Sequence, residues 1–228
     1  MLPVISRALR IKNIYNQKWA KVNIEETKMK YLSLTSNLWI PSIILFLIGG
    51  VLASLKKTTY SNYEIILVDN ASTDNGIKII EKNSQKIKII KNKINVGFAG
   101  GCNKGIESSS PDSIYAVILN QDMYVHSDWL SHLIETMQSD KKIAIAGYSR
   151  LFPKSNKIET LGNKYINKNL AKFKKIGAGH NLKEYLNKGL IEVDFCLGLM
   201  KISILKKVGL FDEKTFAMYE EADLCRRV

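Results

Sequence analysis

The chain has 228 residues, enough for one α/β domain with a sizeable core, and it shows no long internal repeat. Apolar residues make up 46%, which excludes a disordered chain and, on average, a membrane bundle. Lys and Arg outnumber Asp and Glu by 34 to 21, a net charge of +13. This surplus suits nucleotide diphosphates, anionic lipid headgroups or nucleic acid, but a generally Lys-rich composition explains it equally well.

The cysteines and histidines offer little for a disulfide framework or a zinc site. Cys102, Cys196 and Cys225 form no CxxC pair, and their odd number argues against a framework, so we expect reduced thiols. His126 and His132 do not share a helical face as zinc ligands would.

Residues 1–37 are basic and patternless, which predicts an N-terminal extension with weak structure. Residues 38–55 carry no charge and have two interpretations. Their length reaches the lower limit for a membrane-spanning helix, and the basic extension would hold the N-terminus in the cytosol. We favour a buried first strand that ends at Gly49 and Gly50 and precedes a short helix, because a continuous apolar run is typical of a parallel strand covered on both faces.

From residue 63 onward, predicted strands and helices alternate. The strands cover 63–69, 86–92, 115–122 and 142–150, and the helices cover 76–84 and, with Ser127 as N-cap, 127–140. Residues 95–109 begin as a Gly-rich loop that leads into a further helix. Residues 151–192 are polar and Lys-rich, which predicts loops and an irregular segment on the acceptor side. The alternation indicates an α/β fold, a mostly parallel sheet flanked by helices, whose ligands bind at the carboxyl ends of the strands.

Polar residues follow two of these strands. LNQD, residues 119–122, ends a predicted strand and places Asn120 and Asp122 at its carboxyl end. The two side chains are two residues apart, so they point to the same face of the strand. A carboxylate there can hold a cation that neutralises a departing diphosphate. Taken alone, an Asp that caps the next turn is the more ordinary interpretation. In VDNASTD, Asp69 can accept hydrogen bonds from a nucleobase N–H or a ribose hydroxyl, whereas the residues alone favour Asp74 as a helix cap.

The sequence NVGFAGGCNKG, residues 95–105, is rich in glycine. Gly97, Gly100 and Gly101 would let the backbone approach a phosphate or ribose closely, whereas Gly105 suits helix packing. The spacing fits neither the Rossmann fingerprint nor the P-loop.

Adjacent acids stand near the end of the chain. On a helix Glu220 and Glu221 diverge by about 100°, so one can face a site while the other meets solvent. Phe216 and Tyr219 would partly desolvate a carboxylate and raise its pKa towards that of a useful general base. The alternative is an acidic helix start favoured by the helix dipole.

Taken in order, VDNASTD, NVGFAGG, LNQD, KVGLFDE and YEEADLC resemble the family 2 glycosyltransferases, and most closely their rhamnosyltransferase-like branch of cell-surface polysaccharide assembly. The resemblance runs from Leu55 to Val228. It implies a GT-A fold in a domain over residues 38–228 and a metal-dependent, inverting transfer of a sugar from a nucleotide diphosphate to an acceptor hydroxyl.

The resemblance also implies residue roles. Asp122 would be the ligand of Mg²⁺ or Mn²⁺ in a DxD-like motif with Asn120, and Glu221 would be the catalytic base beside Glu220, the first acid of the pair. The residues implied to bind the donor are Asp69, Asn70, Asp74, Asn95, Gly97, Gly100, Gly101, Asn103 and Asn120.

The implied partners are a nucleotide-diphosphate sugar and a lipid-linked or polysaccharide acceptor, with no nucleic acid. The implied location is cytoplasmic, and the basic N-terminus would suit peripheral contact with the inner face of the membrane. Family members usually have an Asn-rich loop after their first strand, which residues 38–55 lack, and they usually continue with further helices beyond Val228, so the domain is expected to be incomplete at its C-terminus. The alternative is a non-catalytic remnant that binds nucleotide or a partner without turnover.

Overall fold

The computed structural model describes residues 9–12, 51–83, 87–120, 123–152, 155–167, 172–185, 190–193, 198–215 and 219–228. Its helices are α1 (51–55), α2 (Gly76–Asn83), α3 (Gly97–Glu107), α4 (Trp129–Ser139), α5 (Ile202–Val208) and α6 (Glu220–Arg227). Its strands are β1 (Leu9–Lys12), β2 (Ile65–Asp69), β3 (Ile87–Lys91), β4 (Tyr115–Val117), β5 (Ile145–Gly147), β6 (Arg150–Leu151), β7 (Ile158–Thr160), β8 (Asn163–Asn167), β9 (Lys172–Lys175), β10 (Leu190–Val193) and β11 (Gly198–Lys201). The alternation of strands and helices confirms the predicted α/β class.

Strands β2 and β3 form a parallel pair connected through α2. Their register places Asp69 opposite Lys91. Ile77 and Ile80 of α2 are buried and form a small core with apolar side chains of both strands. Because parallel strands run in the same direction, their carboxyl ends meet at one edge, so the polar residues that follow β2 and β3 are brought together there.

A second sheet has the order β4–β11–β5, and β11 runs antiparallel to both neighbours. Gly198 lies opposite Gly147, and a Cβ at Gly198 would collide with the carbonyl oxygen of Ala146. The architecture is therefore mixed. The direction of β11 was not predicted because the alternation of strands and helices in the sequence ends at residue 150.

Helix α4 covers the β4–β11–β5 sheet with Leu130, Leu133 and Met137, which pack in one buried cluster with Ala146 and Leu199. The N-cap of α4 is Asp128 rather than the predicted Ser127, and its side chain makes no capping hydrogen bond. The apolar face was therefore read correctly from the sequence, although the cap was placed one residue too early.

The prediction of loops for residues 151–192 was wrong. Strands β6 and β7 pair antiparallel, as do β8 and β9. Tyr165 and Phe173, opposite each other in β8 and β9, pack against the main core, and Ile158 and Leu161 are part of a smaller one. The pattern escaped notice because single apolar residues between lysines give a period of two without a continuous apolar run.

Within residues 1–37 the structure describes β1, which pairs antiparallel with β10. The predicted extension therefore contributes a strand. Residues 51–55 are helical, as predicted after Gly49 and Gly50. The predicted first strand, which precedes those glycines, lies outside the described residues. Within the ranges given above, no helix is both long enough and apolar enough to cross a membrane.

Candidate active site

The loop after β2 begins with Asp69, whose side chain is 8% exposed. Its Oδ1 accepts the backbone N–H of Ser72 at 3.0 Å, and Ala71 between them has the left-handed φ of 64°. Oδ2 of Asp69 has no hydrogen-bond partner among the described residues, and the contact of Asp69 with a nucleobase or ribose stays a prediction. Asp74 accepts the N–H of Gly76 at 2.7 Å, so its carboxylate closes the turn into α2, as the residues alone had favoured.

Hydrogen bonds of two side-chain amides fix the edge where β2 and β3 end. We call this network the amide corner, and it consists of Asn70, Asn92, Gly97 and Lys104. Asn92 Nδ2 donates to Asn70 Oδ1 at 2.7 Å, and Asn70 Nδ2 donates to the carbonyl oxygen of Gly97 at 2.9 Å. Lys104 Nζ donates to Asn92 Oδ1 at 2.8 Å. The amide of Asn70 is thus occupied at both ends, and its predicted contact with the donor stays a prediction.

Asn92 and Lys104 were missed by the sequence analysis. Asn92 is 7% exposed and directly follows β3, as Asn70 follows β2. A polar residue at the carboxyl end of a parallel strand is the signal that could have identified Asn92. Lys104 had no such signal, because only the packing of α3 brings it there.

The glycine-rich segment is the start of α3 rather than a loop. Asn95 Oδ1 accepts the N–H of Gly97 at 2.9 Å, and Gly97 has the left-handed φ of 75° that glycine adopts without strain. Within α3, a Cβ at Gly100 would lie 3.0 Å from Val96, and one at Gly101 would lie 3.2 Å from Nδ2 of Asn70. These glycines therefore allow close packing inside the protein, and their approach to a ligand stays a prediction.

Asn103 joins α3 to the segment before α6. Its side chain is 5% exposed, and Nδ2 donates to the carbonyl oxygen of Phe211 at 2.9 Å and to Glu213 Oε1 at 3.0 Å. The N–H of Phe211 donates to Asn103 Oδ1 at 2.9 Å. The geometry gives Asn103 a bracing role, and the donor contact implied by the resemblance stays a prediction.

The carboxyl end of β4 leads to Asn120. Its Oδ1 is buried and has no hydrogen-bond partner in the part of the chain that the structure describes. Asp122, the predicted metal ligand, lies outside the described residues. Among the residues that are described, no group of three or more His, Cys, Asp or Glu side chains could hold a metal ion. The orphan amide oxygen is nevertheless the kind of ligand that Mg²⁺ and Mn²⁺ accept, so this end of β4 fits such an ion.

Helix α6 begins with the acid pair, Glu220 and Glu221. Glu220 is 8% exposed, and Glu221 is partly buried. Burial raises the pKa of Glu221, and the charge of Glu220 adds to this, while a backbone hydrogen bond and the charge of Arg150 act in the opposite direction. Burial and the charge of Glu220 also raise the pKa of the Cys102 thiol to about 12. Because Cys102 lies in α3, Glu220 faces the helix that leads out of the amide corner.

Charged and aromatic side chains flank the acid pair. The guanidinium of Arg150 is held by Glu159 Oε1 at 3.1 Å. Tyr219, the residue before the pair, has a left-handed φ of 65°, is 51% exposed and meets Phe173 edge-to-face with ring centroids 6.2 Å apart. Such backbone strain outside glycine is common at functional sites. Phe216, predicted to desolvate the pair, lies outside the described residues.

Solved structures show which class of fold this is. The chain resembles S. aureus TarS with a TM-score of 0.51 and 18% identity over 79% of this chain and 51% of that one. It resembles GalNAc-T7, in a structure containing UDP, GalNAc and Mn²⁺, with a TM-score of 0.59 and 15% identity over 78% of this chain and 37% of that one. The chain therefore has the GT-A fold of nucleotide-sugar glycosyltransferases.

The family follows from the sequence. The profile of glycosyl transferase family 2 matches residues 47–209, more than half of the chain, so the protein belongs to that family. A poly-β-1,6-N-acetyl-D-glucosamine synthase of Staphylococcus epidermidis is 29% identical over 120 residues, 50% of this chain and 29% of the relative. A glycosyltransferase of Haemophilus influenzae is 29% identical over 99 residues, 42% of this chain and 30% of the relative. The matches thus span less than a third of either relative.

Proposed function

We propose that the chain transfers a sugar from a nucleotide-diphosphate donor to an acceptor hydroxyl, with inversion, in the synthesis of a cell-surface polysaccharide or glycolipid. The observation that carries the proposal is Glu221, a partly buried carboxylate whose pKa is raised by burial at the start of α6. The family membership and the relatives that build a polymer of N-acetylglucosamine agree with this chemistry.

In this reaction Glu221 is the general base. As the acceptor oxygen attacks the anomeric carbon, a carboxylate oxygen of Glu221 takes the hydroxyl proton, and the bond to the nucleotide diphosphate breaks on the opposite face. A raised pKa makes the ionised carboxylate a stronger acceptor of the hydroxyl proton, which makes proton transfer more favourable. Glu220 is more deeply buried than Glu221, and its charge beside the base also raises that pKa.

The donor is proposed to lie along the carboxyl ends of β2, β3 and β4. Asp69 offers its Oδ2 to a nucleobase N–H or a ribose hydroxyl, and the amide corner holds the first turn of α3 in place beside it. The structure of GalNAc-T7 holds UDP, which supports a nucleoside diphosphate as the common part of the donor.

Asp122, with Asn120 Oδ1, is proposed to hold Mg²⁺ or Mn²⁺ at the end of β4. An ion bound there would neutralise charge on the leaving diphosphate. The orphan oxygen of Asn120 and the Mn²⁺ in the GalNAc-T7 structure support this assignment.

The acceptor is proposed to be lipid-linked or polysaccharide, presented at the inner face of the membrane. The net charge of +13 suits that surface. The rhamnosyltransferase-like branch stays a prediction, because the named synthase among the relatives makes a polymer of N-acetylglucosamine instead.

The metal assignment is tested by calorimetry of UDP binding with and without Mn²⁺. Asp122→Ala should abolish the Mn²⁺-dependent part of the affinity, because the carboxylate is the proposed ligand. Asp112→Ala removes an exposed carboxylate in the turn before β4 and serves as the matched control, with unchanged affinity expected. Metal-dependent affinity that survives in Asp122→Ala would refute the assignment.

The full reaction is tested by incubating the purified protein with Mn²⁺, a panel of nucleotide sugars and lipid-linked acceptors, and following nucleotide release. Effective molarity collapses when the acceptor is not positioned, so nucleotide release should require the acceptor as well as the donor. Acceptor-dependent release would support the proposed transfer. Nucleotide binding without release, for every donor and acceptor in the panel, would favour the non-catalytic alternative.

A further inference from the structure

The β8–β9 hairpin has one face on the core and one face outward. Tyr165 and Phe173 are opposite each other and pack against the main core. Side chains alternate between the faces of a strand, so Lys164 and Lys174, which form the neighbouring opposed pair, point outward. Lys172 is two residues from Lys174 and shares its face. We call Lys164, Lys172 and Lys174 the basic face of the hairpin, and all three are exposed.

The basic face is unfavourable for the protein by itself. Lys164 and Lys174 are directly opposite in the antiparallel register, where like charges repel each other. Within the described part of the chain, no carboxylate lies within ion-pair distance of any lysine of this face. Lys175, the next residue of β9, does have such a partner, because its Nζ lies 3.3 Å from Oε1 of Glu159. The same short strand thus carries one neutralised lysine and two that are left for an external anion.

An apolar side chain accompanies these charges. Ile166 lies at the irregularity in the pairing of β8 with β9 and is 58% exposed. A large apolar side chain beside lysines is typical of surfaces that meet the boundary between lipid headgroups and acyl chains, where long basic side chains reach the phosphates. A polyanion in solution would use the lysines and gain little from Ile166.

From this combination we propose that the basic face of the hairpin docks on the anionic surface of a lipid bilayer, with Ile166 entering the headgroup boundary. On the opposite face of the same two strands, the ring of Phe173 meets the ring of Tyr219 edge-to-face, and Tyr219 is the residue before the acid pair. Docking would therefore hold Glu220 and Glu221 one β-layer from the membrane. This inference goes beyond the proposed reaction, and vesicle binding is measured without turnover, so either can fail separately.

The test is co-sedimentation of the purified chain with vesicles of phosphatidylglycerol or of phosphatidylcholine alone. Each lysine near an anionic surface contributes about fivefold to partitioning, so the triple variant Lys164→Gln, Lys172→Gln, Lys174→Gln should bind phosphatidylglycerol about a hundredfold more weakly. Ile166→Ser should weaken binding by a smaller factor that added salt does not remove, because that contribution is apolar. The triple Arg variant at the same positions should bind like the wild type.

A second triple variant, Lys56→Gln, Lys206→Gln, Lys207→Gln, removes the same charge from exposed positions on α5 and beyond α1. It should lose much less affinity than the hairpin variant, and circular dichroism checks that both variants fold. Equal losses in the two variants would mean that only net charge matters and would overturn the proposal. Unchanged binding in the hairpin variant, or tighter binding to soluble polyphosphate than to phosphatidylglycerol with no effect of Ile166→Ser, would do the same.

Discussion

The amide corner and the acid pair lie on the two sides of α3 and are built on opposite principles. In the amide corner, the side chains of Asn70 and Asn92 make their hydrogen bonds to other parts of the protein. At the acid pair, burial works against the charged form of Glu221, and the residue before the pair has a strained φ. The hydrogen bonds of the amide corner stabilise the fold, whereas the buried charge and strained backbone at the acid pair cost stability. If Glu221 is the proposed base, substitutions in the two regions should have opposite consequences for stability and turnover.

The largest effect is expected from Glu221→Gln. Removing a general base typically lowers the rate by about 10²–10⁴-fold, and the amide keeps the size of the side chain, so donor affinity should hardly change. The measurement is acceptor-dependent nucleotide release together with calorimetry of UDP binding. Glu220→Gln is the matched comparison and should cost less. If Glu220→Gln abolishes release while Glu221→Gln does not, the two acids have been assigned in the wrong order.

Glu221→Gln should also change the stability of the folded protein. Because the pKa of Glu221 is raised in the folded state, the folded protein binds this proton more tightly than the unfolded chain. The contribution of this proton to the free energy of unfolding is complete below the pKa that Glu221 has in the unfolded chain. It is lost as the pH rises through the pKa of Glu221 in the folded protein. Glu221→Gln should therefore be more stable than the wild type at neutral pH, as measured by urea denaturation, and equal to it in acid.

In the amide corner the next largest effect is expected from Asn92→Ala. Its amide is buried, and its loss leaves Asn70 Oδ1 without a donor, which typically costs about 1–3 kcal/mol in the free energy of unfolding. Lys93→Met, at the exposed position next to Asn92 and outside the network, is the control and should cost about 0.5 kcal/mol or less. Urea denaturation of both variants checks this, and equal losses would show that the network does not depend on its buried amide.

The smallest effect is expected from Arg150, which lowers the pKa of Glu221 by its charge. A general base works when ionised, so the rate rises with pH through its pKa. Without the positive charge, that pKa rises further, and Arg150→Met should move the rising limb of the pH–rate profile to higher pH while the plateau stays. Arg150→Lys keeps the charge and should restore the wild-type profile. A shift to lower pH would contradict the assignment of Glu221 as the titrating base.

The sequence predicted those elements whose pattern lies within one short segment, and it did not predict contacts between distant segments. Strands β2 and β3 and helix α4 were predicted because their apolar patterns are contained in single segments. Asp69 was placed at the end of β2 by the same local pattern, whereas the roles predicted for Asp69 and the acid pair came from a resemblance carried by short motifs. Arg150 and Glu159 were missed, since the pairing of β6 with β7 brings these two residues together and no local pattern in the sequence predicts that pairing.

For other site residues the structure shows contacts inside the protein that the sequence did not predict. The amide of Asn103 is buried between Phe211 and Glu213, which are more than a hundred residues away in the sequence, while its implied contact with the donor stays a prediction. A sequence motif fixes the residue type, whereas the partner of an amide is decided by whatever packs against it. The same applies to Gly100 and Gly101, whose missing Cβ atoms make room for Val96 and Asn70.

The position of β11 has a consequence for how the chain folds. Among the described strands, β11 at residues 198–201 is the one that joins β4 to β5, and it is synthesised long after both. Until β11 leaves the ribosome, the two earlier strands have unpaired edges that can join other chains, and contacts between distant segments form slowly. The tight fit of Gly198 against Ala146 then admits little error in register. Expression should therefore depend on chaperones during synthesis, and a chain released before residue 201 should aggregate rather than persist as a folded half.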